Sequence, residues 1–223
     1  MVLSFSLIHP SRSRPEKARE IYNYWMSKAS GENKIEHILS LDFSDPLNEH
    51  YGMVDGKYIP FGDNSKSIID HNSCVVEATN QAAKMATGDV LIYLSDDFKC
   101  PDNWDRLIAE RMLIGHPTLL KVNDCLQQFE VAVLTIPIMN RSLYEKLGYF
   151  WHPSYRSMFV DEDLYWTCKN NIWMVSAPEL QFPHEHCSIG KAERDETYIR
   201  SEANWDHGKA IFAERKALNF PLK

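Results

Sequence analysis

The fold is decided by the stretch "DVLIYLSDD", residues 89–97, in which an unbroken apolar run ends in two carboxylates. The run from Val90 to Leu94 lacks polar alternation, which is typical of a strand buried on both faces of a parallel sheet. Asp96 and Asp97 follow at once, and adjacent carboxylates at a strand end repel each other. They are therefore either solvated in a turn or neutralised by a cation.

Strand and helix patterns alternate before this run. Residues 2–8 predict a strand, and Pro15 suits the first turn of the helix that follows. The apolar residues of that helix recur at the spacing of one helix face; they are Ala18, Ile21, Tyr22, Trp25 and Ala29. A second strand then ends at Asp42.

The chain between Asp42 and residue 115 is more mixed. Residues 44–70 are rich in Asp, Asn, Gly and Pro and predict an irregular connection with a hairpin. Residues 75–86 predict a helix stopped by Gly88. Asp102 is expected to cap a further helix that ends at about residue 115.

The second half of the chain has a different pattern of strands and helices. Strands are expected at 118–122, 130–138 and 172–180, and helices at 140–148, 160–171 and 197–216. The alternation predicts an α/β fold: a mostly parallel sheet flanked by helices. We expect one domain over residues 1–223, with a nucleotide-type half at 1–115 and a second half at 116–223 that supplies other contacts.

Polar residues follow several of the predicted strands directly. They occur at Pro10–Arg14, at Asp42 and at Ser95–Asp97. Because ligands of α/β sheets bind outside the carboxyl ends of the strands, these residues mark the expected site.

Composition narrows the class of protein. The 223 residues carry a net charge of −7, and no run of Lys or Arg provides the usual surface for non-specific nucleic-acid binding. The five cysteines are scattered without a C-x-x-C pair, which favours reduced thiols. No stretch approaches the roughly 20 apolar residues of a membrane span. A soluble, cytoplasmic protein is expected.

Two further polar clusters each allow more than one interpretation. Asp161, Glu162 and Asp163 open a predicted helix, where carboxylates also stabilise the helix dipole. His184, His186 and Cys187 could be ordinary histidines, metal ligands or part of a zinc site, although a structural zinc needs four ligands.

The segment "NQAAKMATGDVLIYLSDD", residues 80–97, resembles the sequence that leads into the D-x-D motif of GT-A glycosyltransferases, especially the family 2-like enzymes. The resemblance implies a GT-A (Rossmann-like) fold. It also implies that Asp97 binds Mn²⁺ or Mg²⁺ at the diphosphate of a nucleotide-sugar. Asp96 is expected to be a second ligand or to contact the ribose or sugar, and Ser95 stands where the family often has its first Asp.

Other parts of the family pattern occur in order along the chain. "LIHPSRSRP", residues 7–15, resembles its first strand and loop, so that four residues are expected to contact the nucleotide: Pro10, Ser11, Arg12 and Arg14. Asp42 stands where the family carries an acid that binds the nucleobase. Asn80 and Lys191 are further candidates for donor contacts.

"FVDEDLYW", residues 159–166, resembles the family's E-D-x-D-L motif, which implies that Asp161 is the general base. Val160 replaces the usual acid before it, so Glu162 is the alternative base. The resemblance also implies that His186, or else His184, completes the metal site. Trp151 and Tyr155 are expected to contact the acceptor.

The implied function is metal-dependent, inverting transfer of a sugar from a nucleotide-sugar, with UDP the favoured nucleotide. The acceptor is open among a glycan, a protein, a small molecule and a modified nucleic-acid base. A nucleotidyltransferase and a catalytically silent sugar- or nucleotide-binding module are the alternatives. Because Asp97 and Asp161 are expected to be exposed in a cleft, replacing either should abolish transfer with little loss of stability.

Overall fold

A computed structural model describes residues 2–54 and 57–222 as an α/β fold with a seven-stranded sheet. The strands are β1 Ser4–Pro10, β2 Lys34–Asp42, β3 Met53–Val54, β4 Lys57–Tyr58, β5 Ser65–Asp70, β6 Val90–Tyr93, β7 Leu119–Asn123, β8 Ile138–Asn140 and β9 Met174–Gln181. The short strands β3 and β4 form a separate hairpin, and the other strands make the main sheet.

Seven α-helices are present in the described part of the chain. They are α1 Pro15–Lys28, α2 Val75–Met85, α3 Trp104–Ala109, α4 Arg141–Leu147, α5 Val160–Asn170, α6 Glu196–Glu202 and α7 Trp205–Ala217. Pro15 opens α1 as predicted. Asn140 caps α4 by accepting from the Leu143 N–H, and Gly148 ends that helix in the left-handed conformation.

The sheet is mixed and mostly parallel, in the order β5-β2-β1-β6-β8-β7-β9. β1 pairs in parallel with β2 and β6, while β8 is antiparallel to both β6 and β7. β8 therefore runs against the other strands of the sheet. The carboxyl ends of β1, β2 and β6 meet at one edge, as the sequence predicts.

Both faces of the sheet are covered, which explains the unbroken apolar run of β6. Val90 and Ile92 belong to a core cluster with Trp25 of α1 and Trp104 of α3. Leu91 belongs to a cluster on the other face, which also contains residues of α2, α4 and α5. Neighbouring residues of one strand thus face opposite cores.

Several local predictions are wrong, including the single helix expected at 197–216, which is two helices, α6 and α7. β5 lies inside the predicted irregular connection 44–70 and forms an edge of the sheet. Residues 130–137, predicted as most of a long strand, are turns and bends, and only 138–140 pair with the sheet. Asp102 does not cap α3, because the N-cap position is Asn103; the Asp102 carboxylate pairs with Lys28 instead.

A further wrong prediction concerns Gly88, because α2 already ends at Met85 with Ala86 as its C-cap. A Cβ at Gly88 would come within 2.7 Å of the Ser6 hydroxyl oxygen, so glycine is needed there for close approach to β1.

No helix in the described ranges is long and apolar enough to cross a bilayer.

Candidate active site

A cleft of about 630 Å³ opens at the carboxyl edge of the sheet. Ten of the residues predicted to bind nucleotide or metal or to act as the base line it: Pro10, Ser11, Arg12, Arg14, Asp42, Asp96, Asp97, Asp161, His184 and His186. Residues 156–160 and helix α6 contribute other parts of the wall. Fold topology thus brings together motifs that lie as far apart as residues 10 and 186.

Asp97 is buried at the bottom of this cleft. Its Oδ2 accepts a 2.5 Å hydrogen bond from the Tyr198 hydroxyl and lies 3.3 Å from His184 Nε2. Burial alone would raise the pKa of Asp97, but the hydrogen bonds from His184 and Tyr198 outweigh it and hold that pKa well below its usual range. Asp97 is therefore a carboxylate at neutral pH.

The donor set around Asp97 fits a divalent cation in its chemistry. Asp97 Oδ1 is buried without a hydrogen-bond partner, and so is His184 Nδ1. An unpartnered buried carboxylate oxygen is costly and is readily stabilised by a hard cation. In the described ranges, no three His, Cys, Asp or Glu side chains are already arranged around a common cation position.

His186 is held by its own turn at the rim of the cleft. Its Nδ1 lies 2.8 Å from the Ser188 hydroxyl and accepts from the Ser188 N–H at 3.1 Å. Burial and the neighbouring His184 lower the pKa of His186, which favours the neutral imidazole needed for metal binding. With Nδ1 engaged in this way, Nε2 is the nitrogen left for a ligand.

Asp96 faces the interior more than the cleft. His9 Nε2 lies 2.8 Å from its Oδ1, and the Ser11 hydroxyl donates to its Oδ2 at 2.9 Å. Its side chain is only 4% exposed. Both oxygens of Asp96 already have protein partners, so Asp97 fits a metal better than Asp96 does.

The first two loops are tied together by arginines. Arg12 forms an ion pair with Asp42, which also accepts from Ser44. Arg14 makes two hydrogen bonds to Asp195, just before α6, and its guanidinium stacks 4.6 Å from the Tyr198 ring centroid. Arg14 therefore attaches α6 to the loop after β1.

Asp161 and Asp163 have different environments, as their spacing on α5 predicts. Asp161 lines the cleft, and burial raises its pKa. Asp163 is 2% exposed and forms a 2.5 Å ion pair with Arg215 of α7. Glu162, the alternative base, does not line the cleft; burial and the nearby Asp161 raise its pKa.

Several predicted site residues lie elsewhere. Asn80 uses its side chain on the backbone of Phe150 and Trp151, with hydrogen bonds of 2.8–2.9 Å, and does not line the cleft. Lys191 is exposed and outside the cleft wall. Tyr155 is buried and donates to Asp163, so it belongs to the core and not to an acceptor surface.

Two more corrections concern exposure. Trp151 lines the cleft but is only 4% exposed. Asp97 is 9% exposed, so it is not the open carboxylate that the sequence predicts.

Sequence reasoning missed the contribution of α6. Its residues Thr197, Tyr198, Arg200 and Ser201 line the cleft, and Tyr198 contacts Asp97 directly. The segment matches no local motif, because contacts between residues about 100 positions apart leave no spacing signal. The sequence predicts a helix here, but not which of its faces meets the site.

No protein-family profile and no curated protein sequence matches this chain. Solved structures do match it at low sequence identity. S. aureus TarS 1-349 in complex with UDP shares 13% identity, with a TM-score of 0.58 over 81% of this chain. The chain covers 60% of the length of that TarS fragment.

Two other matches cover more of both chains. The mannosyltransferase PcManGT from Pyrobaculum calidifontis, in complex with GDP-Man and Mn²⁺, matches 97% of this chain and 76% of its own, at 12% identity and a TM-score of 0.60. The catalytic domain of Drosophila beta1,4galactosyltransferase 7, in complex with xylobiose, matches 90% and 79%, at 10% identity and a TM-score of 0.55. The chain therefore has the GT-A glycosyltransferase fold.

Proposed function

We propose that this chain is a metal-dependent, inverting glycosyltransferase that moves a sugar from a nucleotide-sugar, with UDP the favoured nucleotide, to an acceptor hydroxyl. The observation that carries the proposal is the shared cleft of Asp97 and Asp161 at the carboxyl edge of a GT-A fold. One of these carboxylates has a buried oxygen without a partner, and the other has a raised pKa. Structures of the same fold bind UDP and GDP-Man.

Residues at the ends of β1 and β2 are proposed to hold the nucleotide. Pro10, Ser11 and Arg12 line the cleft beside Asp42. Because Asp42 is engaged by Arg12 and Ser44, it would contact a nucleobase only as part of that cluster. The charges of Arg12 and Arg14 favour a ligand that carries phosphates.

Asp97 and His186, with His184 beside them, are proposed to hold Mn²⁺ or Mg²⁺, which would offset negative charge on the leaving diphosphate. Carboxylate and imidazole together suit Mn²⁺. Asp97 would supply a negative charge at neutral pH, because its hydrogen bonds keep its pKa low. His186 presents Nε2, since Ser188 engages Nδ1.

Asp161 is proposed to accept the proton of the acceptor hydroxyl. The acceptor oxygen forms a bond to the anomeric carbon while the bond from that carbon to the diphosphate oxygen breaks, and the proton passes to Asp161. Burial raises the pKa of Asp161, which makes it a stronger base than a surface aspartate. Attack opposite the leaving group inverts the anomeric centre.

The compartment and domain structure are part of the same proposal. All five cysteines are free, which supports a reducing, cytoplasmic environment. We propose one domain over residues 1–223, because the main sheet contains strands from both halves and both halves line the cleft. Residues 1–115 would bind the nucleotide-sugar, and residues 116–223 would bind the acceptor and supply the histidines of the metal site.

Thermal shift with UDP, GDP, CDP and TDP, each with and without Mn²⁺, tests the donor site. One nucleoside diphosphate should raise the melting temperature in the presence of Mn²⁺, because a ligand at 100 times its Kd stabilises the folded state by about 2.7 kcal/mol. Mn²⁺-dependent hydrolysis of the matching nucleotide-sugar tests the catalytic step. No shift with any of the four would contradict the proposal, and binding without hydrolysis or transfer would favour a silent binding module.

A further inference from the structure

A buried chain of hydrogen bonds ends on Asp96. His9 Nε2 lies 2.8 Å from Asp96 Oδ1, and His9 Nδ1 lies 2.9 Å from His37 Nε2. His37 Nδ1 in turn lies 2.8 Å from the Ser65 hydroxyl on β5. Both imidazoles are completely buried. The chain thus crosses three neighbouring strands beneath the cleft.

A second chain reaches the same carboxylate from the loop after β1. The Ser11 hydroxyl donates to Asp96 Oδ2 at 2.9 Å and lies 2.9 Å from the Tyr51 hydroxyl. The Arg14 N–H donates to that Tyr51 oxygen at 2.9 Å. Asp96 is therefore the point where two chains of polar groups converge.

The direction of the hydrogen bonds follows from the chemistry of the end group. A carboxylate only accepts, so His9 Nε2 and Ser11 Oγ must both donate to Asp96. Burial and the neighbouring His9 hold the pKa of His37 well below its usual value. His37 is therefore neutral, with one ring nitrogen that donates and one that accepts between His9 Nδ1 and the Ser65 hydroxyl.

Burying this network costs more free energy than burying apolar side chains would. Two imidazoles and a carboxylate lose hydration on burial, and only complete hydrogen bonding offsets the loss. His9, His37 and Tyr51 do not line the cleft, whereas Asp96 and Ser11 do. The network therefore holds the Asp96 carboxylate, which lines the cleft, in one orientation.

We infer that His9 is a positioning residue, which with Ser11 orients the Asp96 carboxylate to accept hydrogen bonds from the ribose hydroxyls of the donor. The inference rests on the proposed function. Each Asp96 oxygen keeps a lone pair beyond its protein partner. Asp96 belongs to the turn after β6, beside Asp97, and Asp42 ends β2 across β1 from it. A nucleotide between Asp42 and Asp97 would place its ribose near Asp96.

The test compares UDP with 2′-deoxy-UDP and 3′-deoxy-UDP by calorimetry in the presence of Mn²⁺, using the full chain. Wild-type protein should bind UDP at least about 10-fold more tightly than one of the deoxy compounds, the range for a hydrogen bond to a charged group. His9→Phe should reduce this preference to within about 3-fold and leave the Kd of that deoxy compound nearly unchanged. His9→Gln, which can donate from a similar position, should restore it.

A general loss of folding would weaken all three nucleotides together, so the preference separates positioning from stability. Should His9→Phe not fold, Ser11→Ala and His37→Gln provide the same comparison from either chain. An unchanged preference in these variants, or no preference in the wild type, would overturn the inference while UDP binding still supported the proposed function. If the wild type bound no nucleoside diphosphate at all, the proposed function itself would fail.

Discussion

At the scale of single residues, two aspartates that line the cleft have different environments. Asp97 is buried with Tyr198 and His184 and stays ionised, whereas burial raises the pKa of Asp161, the proposed base. Placing titratable groups in environments that push their pKa values apart is how one site supports two roles. Each role can be tested by a substitution that removes charge and keeps size.

Asp97→Asn should abolish the Mn²⁺-dependent part of nucleotide binding and reduce transfer by at least about 100-fold, since metal binding stabilises charge by several kcal/mol. Calorimetry with UDP, with and without Mn²⁺, measures the first effect. Asp102→Asn is the matched control, because Asp102 is exposed and pairs with Lys28. Wild-type dependence on Mn²⁺ in Asp97→Asn would contradict the assignment.

Asp161→Asn should reduce kcat by about 10²- to 10⁴-fold, the usual contribution of a general base, while the Kd of the donor stays within about 3-fold. Steady-state kinetics with the nucleotide-sugar identified by thermal shift provides the measurement. Glu162→Gln is the control and should keep most activity, because Glu162 does not line the cleft. If Glu162→Gln lost activity and Asp161→Asn kept it, Glu162 would be assigned as the base.

The pH dependence of transfer should report Asp161 as well. The base acts only when ionised, so kcat/KM should fall as the pH decreases through the pKa of Asp161. Because burial raises that pKa, the fall should occur at a higher pH than for a surface aspartate near 3.9. Asp161→Asn should lose this limb in profiles of kcat/KM against pH, and a limb unchanged in the variant would assign it to another group.

At the scale of elements, α7 stabilises the start of α5, the helix that carries the proposed base. Arg215 donates to both oxygens of Asp163 and also to the Pro221 carbonyl. Tyr155 donates to the same carboxylate at 3.0 Å. Asp163 therefore fixes two helices and a loop from a fully paired, buried position.

Arg215→Met should lower the free energy of unfolding by about 3–5 kcal/mol, since it leaves the buried Asp163 carboxylate without its cation. Urea unfolding measures this, and the Asp163→Asn, Arg215→Met double variant should recover part of the loss. Arg194→Met removes an exposed ion pair with Glu202 and should cause no measurable change. Equal losses in the two single variants would show that burial does not set the contribution of Arg215.

The elements that sequence predicts well are those with a strong local signal. β6 is an unbroken apolar run, and α4 has both its cap at Asn140 and its stop at Gly148. β5 was missed because its residues, Ser65–Asp70, are mostly polar and only half-buried at the sheet edge. Residues 130–137 are mostly apolar without being a strand, and Val131 is exposed, so an apolar run alone establishes neither pairing nor burial.

The residues of the candidate site divide in the same way, into those with a local sequence signal and those without one. Residues within strand-end motifs, such as Ser11 and Asp97, could be placed in the cleft from sequence. His9, His37 and Tyr198 could not, because their roles depend on contacts across strands or across the chain. Asn80 was misplaced because the family pattern gives its position but not the direction of its side chain.

At the scale of the whole molecule, Asn80 links the two halves of the chain. It bonds helix α2 to the backbone of Phe150 and Trp151. Asn80→Ala should lower the free energy of unfolding by about 1–3 kcal/mol, because it leaves two buried N–H groups and a carbonyl without partners. The Kd of UDP should stay within about 2-fold, as measured by calorimetry.

Asn80→Asp is the matched variant for this link. It keeps the acceptor for the two N–H groups but removes the donor to the Trp151 carbonyl, so it should retain part of the stability. A large rise in the Kd of UDP in Asn80→Ala, at unchanged stability, would return Asn80 to the nucleotide site.

The contacts of α6 also constrain how the protein is made. Arg14 forms an ion pair with Asp195, and Asp97 accepts a hydrogen bond from Tyr198. Residues early in the chain therefore depend on partners that are synthesised much later. During synthesis on a ribosome, Arg14 and Asp97 leave the exit tunnel long before residues 195–198 do. Until then Asp97 lacks the Tyr198 hydroxyl and Arg14 lacks its partner carboxylate. A nascent chain should therefore complete this part of the cleft only after residues 195–198 have left the tunnel.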